Sequence, residues 1–544
     1  MKKWWHQIIG YQIYPRSFQD TNHDGVGDLP GITAHLDDLK DLGVNAVWLC
    51  PINRSPMMDG GYDVSDYDAI DPVFGSKEDL KELIDEARKR EIRVLMDLVV
   101  NHTSSQHPWF RKALEDPEGV YGKYYIFRKG ENGHPPNNWQ SFFGGSAWER
   151  IEDTEYYYLH LFTKWQPDLN WENPILRQEI YDMVNRWLDL GIAGFRLDAI
   201  NHIKKDFTRE TGDGDFSAFT NVKGIGEFLV ELRDKTYGVR DAFSVGEVNE
   251  IQPQQLETYV GEEGYFSSMF DFTAMHYNIQ SPEWRGKRTE MMNAFRKELF
   301  ENQKLAQGKA LLCNVMENHD TARVAERFYE PKYIGFYSKS MLGCINFFMG
   351  GIAFLYQGQA IGMMDYPKER IEQFKDFTTF NLYEEYKKRG MTDEEALFKI
   401  NAESREHART PMQWNAEVYG GFSDVKPWFD VNPDCREINF EFQKRDENSL
   451  YSFYKKMIAL RKREDLNEIF IYGETIPFQR ETDGVIAYER KFMDKSVWVF
   501  CNTNTEPVMI SDSPQIHEIF LTNYGKEEIK DSLELKPFQV LIFH

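Results

Sequence analysis

The sequence predicts an α/β protein built on a closed eight-stranded (β/α)8 barrel, with one long insertion and a small antiparallel β-domain at the C-terminal end. Three observations carry this. Short apolar, β-branched runs alternate with helical patterns over several hundred residues, which implies a parallel sheet with helices on its faces. The length of 544 residues suits a closed barrel better than an open sheet. From about residue 472 the alternation gives way to short period-two runs at 484–488, 496–501 and 539–543, the pattern of antiparallel strands.

Taken in order, the candidate barrel strands are 46–50, 93–100, 194–198, 243–247, 310–317 and 352–356. Between them, Ser76 and Asp79 form a capping-box pattern ahead of Leu80, Leu83, Ile84 and Ala87 at helical spacing. A second helix opens at Asn173-Pro174, runs through Ile180, Met183, Val184, Trp187 and Leu188, and stops at Gly191. Residues 102–170, rich in aromatics, Gly, Pro and Asn, read as a long insertion after one strand. The apolar stretch 344–356 reads as a buried strand with its approach. The implied division is 1–101 for the first part of the barrel, 102–170 for the insert, 171–471 for the rest of the barrel and 472–544 for the β-domain.

The length predicts two to four domains. Hydrophobic residues make up 41% and aromatics 15%, so a large core needs no staples. Aromatic faces stack on sugar C–H faces but also fill cores. The net charge of −24 weighs against nucleic acid and anionic membranes as partners. The five cysteines form neither a disulfide framework nor a metal-ligand spacing, which suggests a reducing, cytoplasmic setting. The start lacks the apolar stretch of a signal peptide, and no run is long enough for a transmembrane helix. With no Gly-rich dinucleotide or phosphate loop, no organic cofactor is expected. The expected partner is a small molecule, on a monomer or weak homo-oligomer.

The chemistry gathers where strands stop. Asp97 with Asn101-His102, Arg196 with Asp198, Glu247, and Asn318-His319-Asp320 end otherwise apolar runs. In a barrel, catalytic groups lie at the C-terminal strand ends. Alternation turns Arg196 and Asp198 to the same face, with Phe195 and Leu197 to the other. A guanidinium beside a carboxylate favours its ionised form, although a structural ion pair would look the same. Glu247 at an apolar rim suits a proton donor. His102 and His319 can donate hydrogen bonds to hydroxyls or simply hold structure, and neither has a zinc spacing. One ionised and one protonated carboxyl flanking a cationic centre is the equipment of glycoside hydrolysis.

These motifs resemble the α-amylase superfamily of glycoside hydrolases, in its oligo-1,6-glucosidase and α-glucosidase branch. The resemblance rests on seven segments in order: Tyr11 to Phe18, Asp97 to His102, Gln166 to Asn170, Gly194 to Asp198, Val245 to Glu247, Asn318 to Asp320 and Ala408 to Trp414. It implies a TIM barrel with the insert after the third strand, and an enzyme that removes terminal α-linked glucose through a covalent glucosyl intermediate. Asp198 would be the nucleophile and Glu247 the acid/base, with Asp320 the third carboxylate. Arg196, His102 and His319 would line the same subsite. Asp59 and Tyr62 would hold the terminal glucose near Phe162 and Gln166, with Arg409 as the clamp on Asp59 and Arg405 as its rival.

Oxygen-bearing residues alternate at Asp20, Asn22, Asp24, Val26 and Asp28 around glycines, which suits Ca²⁺. Gly31 at the twelfth position excludes an EF-hand. The resemblance favours a structural Ca²⁺, or Mg²⁺ in its place, over a polar turn. Ala199 after the nucleophile implies α-1,4 or mixed preference, since Val there goes with α-1,6. Gln359 stands where relatives often carry Glu. Rival readings on this scaffold are a trehalose-6-phosphate hydrolase, a sucrose hydrolase or isomerase and a transglucosylase. A non-catalytic carbohydrate-binding subunit is a more distant one, since such relatives tend to lose a catalytic carboxylate and all three stand here.

Overall fold

The computed structural model describes residues 2–525 and 533–544. Residues 526–532 of the expected C-terminal domain, like Met1, lie outside the described residues. Eight strands close a barrel: β1 Ile9–Ile13, β2 Ala46–Leu49, β3 Arg93–Val99, β4 Gly194–Asp198, β5 Phe243–Gly246, β6 Ser268–Asp271, β7 Cys313–Asn314 and β8 Ile352–Tyr356. Each pairs in parallel with the next, and β8 pairs with β1. Inward side chains such as Trp48, Leu95, Val245, Phe270 and Phe354 fill the interior. At Gly10 a Cβ would stand 2.3 Å from the Phe354 ring, so a larger residue there would collide with this packing.

The helices form for the reasons the sequence suggests. In α1, Lys77–Lys89, Ser76 Oγ accepts from Asp79 N at 3.1 Å and Asp79 Oδ2 accepts from Ser76 N at 2.7 Å. Leu80, Leu83, Ile84 and Ala87 form its buried face. Burying each of the larger ones stabilises the fold by about 1.5–3 kcal/mol, and Leu83→Ala would cost roughly 2–5 kcal/mol. In α2, Pro174–Leu190, Asn173 caps the start and Gly191, left-handed at φ 116°, ends it.

Three expectations need correction. The run at 310–317 contributes only Cys313–Asn314 to the barrel, because farther along Arg327 takes the Met316 carbonyl in place of a ladder partner. Residues 344–348 are the end of helix α3, Phe336–Phe348, and only 352–356 is strand. This helix end is buried on all sides, so it lacks the periodicity that separates helix from strand. Strands β1 and β6 were not anticipated: β1 is interrupted by Gly10 and Gln12, and β6 has only four residues.

Between β3 and β4 the chain leaves the barrel and forms a three-stranded antiparallel sheet, with Tyr156–Leu159 between Phe127–Lys129 and Trp148–Arg150. Its own core is aromatic, with Trp139, Trp148 and Tyr157 packed on Phe219 from beyond β4. After β8, two helices, α4 Phe377–Lys388 and α5 Asp393–Glu403, form a hairpin over the barrel mouth, joined by Tyr386, Ala396 and Ile400. The C-terminal strands are β9 Glu474–Phe478, β10 Val485–Phe492, β11 Lys495–Asn502, β12 Val508–Ile510, β13 Ile519–Thr522, β14 Leu533–Leu535 and β15 Val540–Phe543. They make an antiparallel sheet in the order β9-β10-β11-β15-β13 and a pair β12-β14. Ala487, Phe500 and Leu541 pack against Ile510 and Leu535 of that pair, while Ile486, Tyr488 and Ile542 join the main core. Among the described residues, no helix is long and apolar enough to cross a membrane. All five cysteines are buried and free.

Candidate active site

Strand register brings the first group together. Asp97 on β3 lies beside Arg196 on β4, and Val99 beside Asp198. Leu197 pairs with Gly246 on β5, and its carbonyl accepts from Glu247 N at 3.0 Å, so Glu247 leaves its strand level with Asp198. A side chain at Gly246 would collide with the Phe266 ring, 2.7 Å from a Cβ. Alternation sends Phe195 and Leu197 outward into the helical core. Ala199 then turns left-handed at φ 45° and donates its N–H to Glu247 Oε2 at 3.0 Å.

One guanidinium ties these carboxylates. Arg196 Nη1 donates to Asp97 Oδ1 at 2.5 Å and to Asp198 Oδ1 at 2.7 Å, while Nη2 donates to Glu247 Oε2 at 2.8 Å. Trp48 lies beneath, its ring 5.3 Å from the guanidinium and its Nε1 donating to Asp97 Oδ2 at 3.0 Å. Arg196 favours the ionised form of Asp198, but it does not act unopposed. Burial pushes Asp198 well above the usual carboxylate range; Arg196 opposes this, but Glu247, Asp97 and Asp320 add to the rise. Burial raises Asp97 too, again against Arg196. Arg196 is thus one cation shared by three carboxylates, and the two that are buried, Asp97 and Asp198, are both raised despite it.

The second group sits across the barrel mouth. His319 Nε2 lies 2.9 Å from Asp320 Oδ2 and 2.7 Å from Tyr62 Oη, and its ring stacks on Tyr62 at 5.3 Å. Burial alone would lower His319, but the Asp320 carboxylate outweighs it and raises it to about 10. Burial alone would raise Asp320, yet His319, Arg409 and Arg405 hold it well below its ordinary value. Tyr62 Oη also donates to Asp97 Oδ2 at 3.0 Å, joining the two groups.

Asp59 is held by Arg405, not by Arg409. Arg405 Nη2 donates to Asp59 Oδ1 at 2.8 Å, and Gln166 Nε2 donates to Asp59 Oδ2 at 3.0 Å. Arg409 instead reaches Asp320 Oδ1 at 2.9 Å and the His319 carbonyl at 2.9 Å. The two arginines open and close one 3₁₀ segment, Arg405–Arg409, whose irregular backbone gives no facing rule to read from sequence. Asp376, which went unnoticed in the sequence because an Asp before a helix reads as an N-cap, hydrogen-bonds Arg405 and pairs with Arg409 at 3.5 Å. His102 Nε2 lies 3.1 Å from both the Tyr62 carbonyl and Gln166 Nε2, and its ring meets Phe162 at 5.1 Å.

A cavity of about 600 Å³ joins these groups. Asp59, Tyr62, His102, Phe162, Gln166, Asp198, Glu247 and Asp320 line it, together with Ala199, Phe143 and Arg405. Arg196, His319 and Arg409, expected to line the subsite, are buried behind this wall at 2%, 0% and 5% exposure. Gln359 also faces away, accepting from Tyr356 N at 3.1 Å. A larger cleft, about 840 Å³, lies at the other end of the barrel beside Ala242, Leu312 and Gly351, away from this chemistry.

In the loop at 20–28 the donors are oxygens, as a hard cation requires. Asp20 accepts from Asn22, His23 and Gly25 N–H groups and from Ser423 Oγ. Asp28 accepts from Thr21 and Gly31 N–H groups, and Asp24 accepts from Val26 N. The carboxylates therefore already fasten the loop, and among the described residues no three acidic, histidine or cysteine side chains form a cage.

A family model described as the α-amylase catalytic domain matches residues 12–472. A probable oligo-1,6-glucosidase 3 of Bacillus subtilis (strain 168) is 38% identical, with 100% of this chain and 99% of the relative covered. The crystal structure of the trehalose-6-phosphate hydrolase of Bacillus licheniformis superposes with a TM-score of 0.91 at 34% identity, covering 100% of both chains. That of an isomaltulose synthase from Klebsiella sp. LX3 gives 0.93 at 32% identity, covering 100% of this chain and 99% of the other. By this end-to-end likeness in sequence and fold, the chain belongs to the α-amylase family of glycoside hydrolases.

Proposed function

We propose that the chain is a retaining, exo-acting α-glucosidase that releases terminal glucose from short, neutral oligosaccharides with α-1,4 or α-1,6 bonds. The observation that carries this reading is the shared guanidinium: Arg196 holds Asp198 and Glu247 from its two terminal nitrogens, so both border one cavity. A cavity of about 600 Å³ is of small-molecule size.

In this reading the Asp198 carboxylate attacks the anomeric carbon. The glycosidic C–O bond breaks as Glu247 gives its proton to the leaving oxygen. Water, deprotonated by Glu247, then displaces Asp198, and two inversions preserve the α configuration. The excess of carboxylates over the single guanidinium stabilises the positive charge that develops on the sugar. Asp320 binds ring hydroxyls. Asp59, held by Arg405 and Gln166, binds distal hydroxyls, with the Tyr62 ring beneath and His102 beside it. This closed inner end favours chain termini over internal bonds.

The mouth supports a neutral leaving group. Asp213, Glu385 and Glu403 line it, while among the described residues the only Arg or Lys on the cavity wall, Arg405, is already bonded to Asp59 and Asp376. A sugar phosphate there would face like charge. The free thiols support a cytoplasmic setting. For the loop at 20–28 we propose a structural Ca²⁺ or Mg²⁺ bound by the oxygens of Asp20, Asn22, Asp24, Val26 and Asp28, without a part in the chemistry.

Initial rates and products on maltose, isomaltose, sucrose and trehalose-6-phosphate test the substrate. The expected result is glucose release from maltose or isomaltose and none from the phosphate ester. Rates at the buffer blank on every α-glucoside would end the reading. Asp198→Asn should abolish turnover with the melting transition preserved, and more than a few per cent residual activity would remove Asp198 from the role.

A further inference from the structure

Behind the terminal-glucose end of the cavity lies a carboxylate that touches neither the cavity nor the reacting groups. The Asp376 side chain is turned inward just before helix α4, with 7% of it exposed. Its Oδ2 bonds Arg405 Nε, its Oδ1 accepts from Arg405 Nη2 at 3.1 Å, and Arg409 Nη1 lies 3.5 Å from Oδ2. Those arginines carry the cavity's own carboxylates: Arg405 reaches Asp59 at 2.8 Å and Asp320 at 3.2 Å, and Arg409 reaches Asp320 at 2.9 Å. Two cations are thus interleaved with three anions: Asp320 meets both cations from the cavity side, and Asp376 meets both from behind, hydrogen-bonding Arg405 and ion-pairing with Arg409.

The same residue starts the outer wall of the cavity. Asp376 Oδ1 accepts from Thr378 N at 3.0 Å and from Thr378 Oγ1 at 2.8 Å, capping α4. Thr378, Leu382 and Glu385 of that helix line the mouth. The adjacent Phe377 ring docks edge-on against Phe143 at 5.9 Å and Trp165 at 5.5 Å, both from the inserted region. An uncharged N-cap such as Asn or Ser would have sufficed for the helix. A carboxylate hydrogen-bonded to one guanidinium and ion-paired with a second does something a cap does not require.

We propose that Asp376 is a positioning residue for the terminal-glucose subsite, fixing Arg405 and Arg409 so that they present Asp59 and Asp320 to the sugar, and tying that geometry to the helix that walls the leaving-group side. The inference rests on the proposed α-glucosidase activity for its substrate but not for its geometry. Without the rear carboxylate, each arginine can swing onto Asp59 or Asp320 in bidentate fashion and cover the oxygens the sugar hydroxyls would take.

The test compares Asp376→Asn and Asp376→Ser, which keep a capping side chain and remove the charge, with Asp376→Glu, which keeps the charge. Glucose is the probe, followed by calorimetric binding and as a competitive product inhibitor, alongside kcat and KM on the α-glucoside the parent hydrolyses. The expected result for the neutral variants is glucose binding weakened about tenfold or more, of the order seen when one partner of a buried charge pair is removed. KM should rise more than kcat falls, the melting midpoint should stay near the parent's, and Asp376→Glu should recover much of the loss. Neutral variants that bind glucose and turn over within about twofold of the parent would overturn the proposal. So would a Glu variant as impaired as Asn at equal stability. If both neutral variants fail to fold, Arg405→Lys decides, since an ammonium keeps the charge beside Asp59 but cannot span Asp59 and Asp376 as the guanidinium does; glucose binding within about twofold of the parent in that folded variant overturns the proposal. A parent that binds glucose but hydrolyses no glucoside would fault the activity and leave the positioning test standing.

Discussion

Arg405 donates from Nη2 to Asp59 Oδ1 across 2.8 Å, joining residues 346 positions apart in the chain on the wall of the cavity. Truncating one partner of a buried, hydrogen-bonded charge pair costs roughly 2–5 kcal/mol, mostly by leaving the other charge unpaired. Arg405→Ala should therefore lower kcat/KM at least about thirtyfold, mainly through KM, because Asp59 would hold the sugar before and during reaction alike. Arg409→Ala disturbs Asp320 and should fall more on kcat. Steady-state kinetics on the two variants check this, and small, equal effects on KM would remove Arg405 from the terminal subsite.

The pH profile should carry the mark of the crowded carboxylates. Burial, with Glu247, Asp97 and Asp320 nearby, lifts Asp198 above its ordinary value despite Arg196. An ionised Asp198 is the attacking form, so activity is lost as pH falls through that raised value. The acid limb of kcat/KM should lie clearly above the unperturbed aspartate value of about 3.9, with an apparent value that belongs to the cluster. Asp97→Asn removes one neighbouring charge and should move the limb to lower pH. A limb near the unperturbed value, unmoved in that variant, would contradict this account of the electrostatics.

How much of this could be read beforehand depends on whether a rule of regular structure applied. Arg196 and Asp198 sit on a strand, where alternation fixes facing, and the register that sets Asp97 beside Arg196 follows from consecutive parallel strands. The helices at Ser76 and Asn173 announced themselves because their caps are local chemistry. Arg405 and Arg409 lie on an irregular turn, so which one meets Asp59 is decided by tertiary packing. Asp376 was hidden by doing two things at once, since its capping of α4 fully accounts for an Asp at that position. The end of α3 at 344–348 was misread because full burial erases the polar face that marks a helix. That Arg196 and His319 support the cavity from behind also could not be read, because sequence gives the face a side chain takes but not the layer it stops in.

The pair of His319 and Asp320 should make stability depend on alkaline pH. Burial opposes protonation of His319, but Asp320 raises it to about 10 in the folded protein, against about 6.5 unfolded. A group raised on folding contributes stability that is fully present below the unfolded value and is lost as pH rises through the folded one. The melting midpoint should therefore decline between about pH 6.5 and pH 10, and His319→Gln should flatten that part of the curve. An unchanged slope in the variant would assign the decline to other groups.

Chelation distinguishes a loop fastened by its own hydrogen bonds from one that also holds a cation. With Ca²⁺ or Mg²⁺ bound, removal by EDTA should lower the melting midpoint by a few degrees, since a ligand bound only to the folded state stabilises by mass action. Added Ca²⁺ should restore it, with activity at moderate temperature little changed because the loop lines no part of the cavity. A midpoint indifferent to EDTA and to added Ca²⁺ would show that the contacts of Asp20 and Asp28 with the loop suffice.

Ala199 offers the sharpest handle on linkage. It follows Asp198, borders the cavity and holds φ 45°. In Ala199→Val the added methyl groups would crowd the region beside the nucleophile where the leaving sugar departs. An α-1,4-linked ring is attached directly and has little freedom to avoid them, whereas an α-1,6 bond adds a rotatable carbon that lets the second ring swing clear. The rate on isomaltose relative to maltose should rise in Ala199→Val. The left-handed conformation is poorly suited to a β-branched residue, so the same substitution should cost about 1–3 kcal/mol of stability. Initial rates on both disaccharides, with a melting curve to show that the variant is folded, check both effects. An unchanged ratio in a folded variant would place the linkage filter elsewhere, with the mouth residues of α4 as the next to vary.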